Sequence, residues 1–247
     1  MTQEELRERI INKGQLAVAV EDIQAMSHDD YALLRKNYFG ASDSSVLCGV
    51  NLYKTLDELI KEKNNKFITA EERAVGEKPI VKKGYDLEPI ILDKAEAELG
   101  MTVHKPQDMF KFKTVTGLSV NYDGVACLPN TDTLVPIEAK LVSKYGEKYY
   151  NKQISHEQAK LLDMKVEGAT LDQHIKRKAL RLGIPAYYYT QVQQEISGLD
   201  APYGYLAAMF DDSWAFKIYF IPRDTYVIAA IENKCVENIV KIERDTQ

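Results

Sequence analysis

Three residues near the middle of the chain combine types and spacing that could do chemistry: Asp123, Glu138 and Lys140. Asp123 stands against a glycine in the alternating apolar run Val120-Asn121-Tyr122-Asp123-Gly124-Val125-Ala126. Glu138 and Lys140 belong to Thr133-Leu134-Val135-Pro136-Ile137-Glu138-Ala139-Lys140-Leu141. Each run reads as a β-strand, and Leu128-Pro129-Asn130-Thr131-Asp132 between them reads as a turn. Residues two apart in a strand share a face, so Glu138 and Lys140 point the same way. A hairpin would then gather two carboxylates and one ammonium at one end. Buried acids need charge compensation, which a divalent cation with a nearby lysine supplies. The plainer reading is a same-face ion pair on an exposed strand, worth only about 0.2–1 kcal/mol.

The flanking sequence must position these groups. With 247 residues, 45% of them hydrophobic, the chain is read as one domain spanning residues 1–247. Residues 2–37 read as helical, with Leu6, Ile10 and Ile11 on one face and shorter helices over 21–26 and 28–36. Tyr38-Phe39-Gly40-Ala41-Ser42-Asp43-Ser44-Ser45 follows, with Ser42 as an N-cap and Gly49 as a helix stop. A serine-rich helix N-terminus suits a phosphate, and it equally suits a plain cap. A helix is expected over 56–63. Lys61, Lys63, Lys66, Lys78, Lys82 and Lys83 form either a solvated face or a DNA-backbone contact.

Gly84 opens a helix whose Leu87, Ile91, Ala95 and Leu99 make a core-facing stripe, with Glu88 on its flank and Pro89 tolerated in the first turn. Strands are expected over 102–104 and 109–113. Residues 143–183 hold Tyr145, Tyr149 and Tyr150 before helical sequence at 156–164 and 171–182. They form an inserted helical arm touching DNA or a neighbouring subunit, or an ordinary solvated helix pair. Residues 185–196 read as a helix, 203–210 and 214–221 as a hairpin, and Pro222-Arg223-Asp224 starts a terminal helix with Ile228, Ile231, Cys235, Ile239 and Ile242 on one face.

No apolar run approaches the roughly 20 residues that span a bilayer, and the N-terminus lacks signal-peptide features, so a cytoplasmic protein without a membrane partner is expected. Cys48, Cys127 and Cys235 are widely spaced and support neither a disulfide framework nor a cysteine metal site. His28, His104, His156 and His174 lack metal-binding spacing and read as surface or structural. The net charge of −5 gives no support for a nucleic-acid ligand, although local basic patches remain compatible with one.

The order Asp123, then Glu138-x-Lys140, resembles the core of the PD-(D/E)XK nuclease superfamily, and the Asp-Gly context resembles its branch of lambda exonuclease and the YqaJ-type phage recombinases. Arg35 followed by Gly40-Ala41-Ser42-Asp43 and Leu47-Cys48-Gly49 is similar to an early segment of that branch. So are Gly84-x-x-x-Glu88 and Tyr188-x-x-Gln191-x-Gln193. The resemblance runs from about residue 35 to the C-terminus outside 143–183, which is longer than its counterpart. Glu195 departs from the tyrosine of the wider RecB-like branch, and three cysteines argue against the iron–sulfur branch.

The resemblance implies an α/β fold, a restriction-endonuclease-like central mixed sheet flanked by helices. It implies that Asp123, Glu138 and the Ala139 backbone carbonyl hold Mg²⁺, or Mn²⁺ in its place, with Glu88 serving a second ion. Lys140 would orient or help deprotonate the water, supported by Gln191. Arg35 and Ser42, with Ser44 and Ser45 as weaker candidates, would grip a 5′-phosphate, as a planar guanidinium does well. The implied activity is processive 5′-to-3′ digestion of linear double-stranded DNA from its ends by a ring-shaped trimer. It would work with a single-strand annealing protein in phage-type recombination inside a bacterial host. An endonuclease of the same superfamily would keep the metal site without Arg35 and Ser42. A non-catalytic DNA-binding or interaction protein on the same fold is the alternative from another class.

Overall fold

The computed structural model describes residues 1–13, 15–18, 23–150, 154–160 and 168–242. Its helices are α1 (Gln3–Lys13), α2 (His28–Lys36), α3 (Ser44–Leu47), α4 (Leu56–Lys63), α5 (Ala70–Gly76), α6 (Pro79–Leu99), α7 (His156–Lys160), α8 (Leu171–Leu182), α9 (Ala186–Leu199) and α10 (Thr225–Ile239). Its strands are β1 (Leu16–Val18), β2 (Val103–His104), β3 (Phe110–Phe112), β4 (Ser119–Val120), β5 (Gly124–Cys127), β6 (Leu134–Val142), β7 (Tyr203–Phe210) and β8 (Phe216–Pro222). They form a five-stranded sheet ordered β2-β5-β6-β7-β8 and a three-stranded one ordered β1-β3-β4. In the larger sheet β6 and β7 run parallel and the other neighbours antiparallel, so the expected mixed sheet flanked by helices is present.

The central strand β6 is buried from Leu134 through Ala139, as a strand covered on both faces should be. Two glycines show how closely the helices approach. A Cβ on Gly204 of β7 would lie 2.9 Å from both Pro136 Cγ and Val192 Cγ1, so α9 packs over the face that carries Pro136, Glu138 and Lys140. A Cβ on Gly124 would lie 2.8 Å from Leu92 Cδ2, so α6 covers the opposite face.

Several sequence expectations change. The run 120–126 is not one strand: β4 ends at Val120, β5 begins at Gly124, and the chain passes between the two sheets at Asn121-Tyr122-Asp123. Tyr122 makes the break by turning into the core against Phe110 and donating its hydroxyl to the Glu195 carbonyl at 3.2 Å. Within 2–37, β1 replaces helix because it can pair with β3, a contact far away in sequence. Residues 21–22 and 161–164 of the expected helices lie outside the described residues. Helix α6 starts at Pro79 rather than Gly84, which puts Pro89 in its interior and leaves the Tyr85 carbonyl without its helical donor. Ser42 lies inside a 3₁₀ turn, Ala41–Asp43, and the cap position goes to Gly40, whose N–H donates to Asp43 Oδ2 at 3.0 Å.

Helix α8 is not a projecting arm. Its Ile175, Lys178, Ala179 and Leu182 are buried, while Lys176, Arg177 and Arg181 face outward. It joins α9 and α10 through a buried polar network. Asp224 Oδ2 accepts from the Tyr189 hydroxyl at 2.8 Å and contacts His174 Nε2 at 2.9 Å. Its Oδ1 caps α10 at the Val227 N–H at 3.2 Å. Gln193 Oε1 accepts the Asp224 N–H at 2.8 Å.

Burial pushes the Asp224 carboxyl up, but His174, Tyr189 and the Val227 N–H hold it below 3.8 overall. A lowered folded value stabilises the protein above about 3.8 and loses that stabilisation as pH falls through the folded value. Asp224→Ala should cost roughly 2–4 kcal/mol through the lost cap and the unpaired buried donors. Urea midpoints at pH 7 measure it; a change under about 0.5 kcal/mol would mean that the network holds nothing.

Candidate active site

The antiparallel register pairs Gly124 with Ile137, so β5 stops covering β6 just before Glu138. On its other side β6 stays paired with β7 from Ile137 to Val142. Asp123 occupies the open edge: its Oδ2 accepts the Ala139 N–H at 2.9 Å. Lys140 Nζ lies 3.7 Å from that same Oδ2 and in contact with Glu138 Oε1. Gln191 of α9 donates to Glu138 Oε1 and, at 3.3 Å, to Glu195 Oε1. Tyr188 lies beside them, with Lys140 Nζ 5.6 Å from its ring centre.

Electrostatics follows from burial. Glu138 is 1% exposed, and desolvation followed by the Asp123 charge raises its carboxyl from 4.5 to about 7. Burial pulls Lys140 down, but Glu138 and Asp123 more than offset this and hold it well above the usual lysine range. Glu195, also 1% exposed, is pushed well above the carboxylate range by burial and then by Glu138. The cluster thus has more acid than one ammonium can balance. Burial and the Glu138 charge favour the neutral form of Glu195, which can then serve as a hydrogen-bonding acid beside Glu138 and Gln191.

A hard divalent cation fits this donor set. Lys140 Nζ marks a point that both carboxylates reach. A strand residue presents its N–H and C=O to the same side, so the Ala139 carbonyl faces the edge where Asp123 meets its N–H. Two carboxylates and a carbonyl are all oxygen donors, the number of protein ligands from which Mg²⁺ keeps several waters. Among the described residues no group of three His, Cys, Asp or Glu side chains surrounds one point, so the carbonyl has to complete such a set.

The structure therefore brings together Asp123, Glu138, Ala139, Lys140 and Gln191. Glu88 pairs instead with Lys105, the residue after His104, which itself stands opposite Val125. Arg35 lies apart, exposed at the end of α2 beside Gly40, with a guanidinium nitrogen 3.8 Å from where a Gly40 Cβ would be. Its charge reaches Tyr31, whose hydroxyl accepts from Asn121, two residues before Asp123. Ser42 is exposed nearby. Ser44 and Ser45 are both buried, Ser44 donating to the Ala41 carbonyl at 2.7 Å and Ser45 accepting from the Asn51 amide at 2.8 Å. In the lysine run, Lys63 is buried against Asp43, Lys82 pairs with Glu77 and Lys83 with Asp211. Glu195 was the residue missed. Its signal was present, four residues after Gln191 on the same helical face.

A family model described as the YqaJ-like viral recombinase domain matches residues 30–198. No curated protein sequence matches the chain. Among solved structures, the alkaline exonuclease LHK-Exo from Laribacter hongkongensis is similar at 17% identity and a TM-score of 0.55, over 84% of this chain and 89% of that one. The LHK-Exo complex with dAMP gives 0.57 at 17% identity, over 86% and 91%. The phage related exonuclease from Haemophilus somnus 129PT aligns at 11% identity over 83% and 93%, with a TM-score of 0.47. The two higher scores establish a shared fold.

With chelator present, the folded state binds an extra proton at Glu138. The stability this gives is present below about 4.5 and lost as pH rises through about 7. Glu138→Gln should flatten that slope, leaving the part that Glu195 contributes, and exceed the wild type in stability above pH 7. Lys140→Met, which leaves the acids unbalanced, should lose roughly 2–4 kcal/mol, less than for a fully buried pair because Lys140 is 25% exposed. Denaturant midpoints across this pH range measure both, and equal slopes in the wild type and Glu138→Gln would refute the account.

Proposed function

The chain belongs to the YqaJ-like viral recombinase family, and from that premise we propose that it is a metal-dependent 5′-to-3′ exonuclease on linear double-stranded DNA, acting in phage-type recombination. The observation that carries the proposal is the meeting of Asp123, Glu138 and Lys140 at the open edge of β6. In this reading Asp123, Glu138 and the Ala139 carbonyl hold Mg²⁺ or Mn²⁺. The ion, when bound, would lower the pKa of a nearby water and offset charge on the phosphate.

The chain's own groups do the remaining work. Lys140, kept protonated by its two acids, orients water toward the phosphorus and shares the negative charge that develops there. Gln191 fixes the Glu138 carboxylate from α9, and protonated Glu195 backs Gln191 without adding charge. Arg35 and Ser42 bind the terminal 5′-phosphate. Glu88 joins only if released from Lys105, so we assign it to a second ion with less weight than the other acids. A homo-trimer and a single-strand annealing partner complete the proposal as expectations from family resemblance.

The test is digestion of linear duplex DNA bearing a 5′-phosphate or a 5′-hydroxyl, and of closed circular DNA, with Mg²⁺ or chelator. Linear DNA alone should disappear, only with metal, and faster with the 5′-phosphate. Lys140→Ala should slow the reaction about 10²–10³-fold. Arg35→Ala should cancel a phosphate preference of roughly 10–100-fold while leaving 5′-hydroxyl ends unaffected. Cutting of the closed circle would instead make the protein an endonuclease. Binding without any cleavage would make it a DNA-binding module.

A further inference from the structure

Beyond Lys140, where β6 runs into residues 141–150, lies a cavity of about 340 Å³, large enough for a small ligand. Six tyrosines line it: Tyr53, Tyr145, Tyr149, Tyr150, Tyr187 and Tyr188. They come from three separate stretches of chain, so no single amphipathic pattern explains their meeting. They are poorly placed to be ordinary core, because Tyr53 is 75% and Tyr145 84% exposed. Tyr187 stacks edge-on against Tyr53 at 6.1 Å and against Tyr188 at 4.5 Å, which leaves a partly ordered aromatic wall. Tyr150 forms the floor against Phe210 and Tyr219, and its hydroxyl has no hydrogen-bond partner among the described residues.

Two ammonium groups stand close to the tyrosine rings. Lys148 lines the cavity with its ammonium 5.0 Å from the Tyr149 ring centre, and Lys140 approaches the Tyr188 ring from the acid cluster. The cavity and the catalytic candidates therefore share one wall, Tyr188. An aromatic slot flanked by ammonium groups matches a flat heterocycle carrying phosphate, since stacking on tyrosine tolerates any base and lysines meet the anion. A purely apolar ligand would leave Lys148, which lines the cavity, without a partner for its charge.

We propose that this tyrosine-lined cavity binds a nucleobase with its phosphate, unstacked from a DNA end and held beside the site of cleavage. The proposal rests on the nuclease reading and adds to it a preference for ends with an unpaired terminal nucleotide. Such a base has already lost its stacking partner, so seating it here costs less than extracting one from a duplex. Two sources share the chemistry, the end of a strand and a released mononucleotide, and the probes below separate them.

The probes are duplex DNA with 2-aminopurine as the unpaired 5′-terminal base, and 2-aminopurine deoxyriboside 5′-monophosphate alone, both in chelator so that nothing is cut. A second dye at the far end reports DNA binding independently by anisotropy. Stacking should quench the 2-aminopurine. Tyr53→Ala and Tyr145→Ala, both at exposed positions that folding does not need, should each weaken the quenched complex roughly tenfold. Tyr187→Phe, which keeps the ring and loses the hydroxyl, should leave it within about twofold. Quenching by the oligonucleotide alone assigns the cavity to the strand end, and quenching by the monophosphate as well extends it to the product. Binding by anisotropy with no quenching, or with quenching that the alanine variants leave unchanged, overturns the proposal and spares the nuclease reading. Absence of DNA binding overturns both.

Discussion

Charge balance at Glu138 governs this molecule. A carboxylate 1% exposed on a central strand, with a second acid at its strand edge, is tolerable only if cations and donors surround it. Lys140 is the one ammonium in contact with it among the described residues, two positions along the same face. Gln191 comes down from α9, the Ala139 N–H holds Asp123 in place, and burial beside Glu138 favours the neutral form of Glu195 over another charge. The end of β5 at Gly124, the close seating of α9 on Gly204 and the break before Asp123 all follow as conditions for that arrangement. A site built this way is poised for a further positive charge.

Helix α9 is the element that ties the conditions together. Its glutamines leave in three directions. Gln191 reaches the acids, Gln193 holds the Asp224 N–H and the Pro222 carbonyl, and Gln194 donates to the carbonyls of Phe39 and Ser119 at 3.1 and 2.8 Å. One helix thereby fixes the large sheet, the terminal helix and the small sheet against one another. Its composition reads as polar, yet residues 192–199 are buried throughout, and the Gln193 and Gln194 amide nitrogens donate to backbone carbonyls there. Such interior glutamines act as positioning devices in place of apolar packing.

The acids and lysine of β6 were legible because strand periodicity is two and their spacing is two. The stripes of α6 and α10 were legible because each buries one face. What escaped was set by partners distant in sequence. β1 exists because β3 is there to pair with it, and the 120–126 run divides because Tyr122 finds Phe110 and the Glu195 carbonyl. The burial of Ser44 against Ala41 was hidden too, because a serine-rich helix start reads alike whether its hydroxyls face solvent or the core. Glu195 passed as a departure from a motif, although helical spacing aligned it with Gln191. Tyrosines gathered from three stretches of chain have no local pattern to find.

The link at residues 121–123 gives the two acids different allegiances. Glu138 belongs wholly to the large sheet, whereas Asp123 rides on the strap that joins it to the small one, pinned at Tyr122 to α9. The gap between the carboxylates therefore measures how the two sheets are seated. Whatever bridges the acids clasps the sheets together, and whatever loosens the seating opens the clasp.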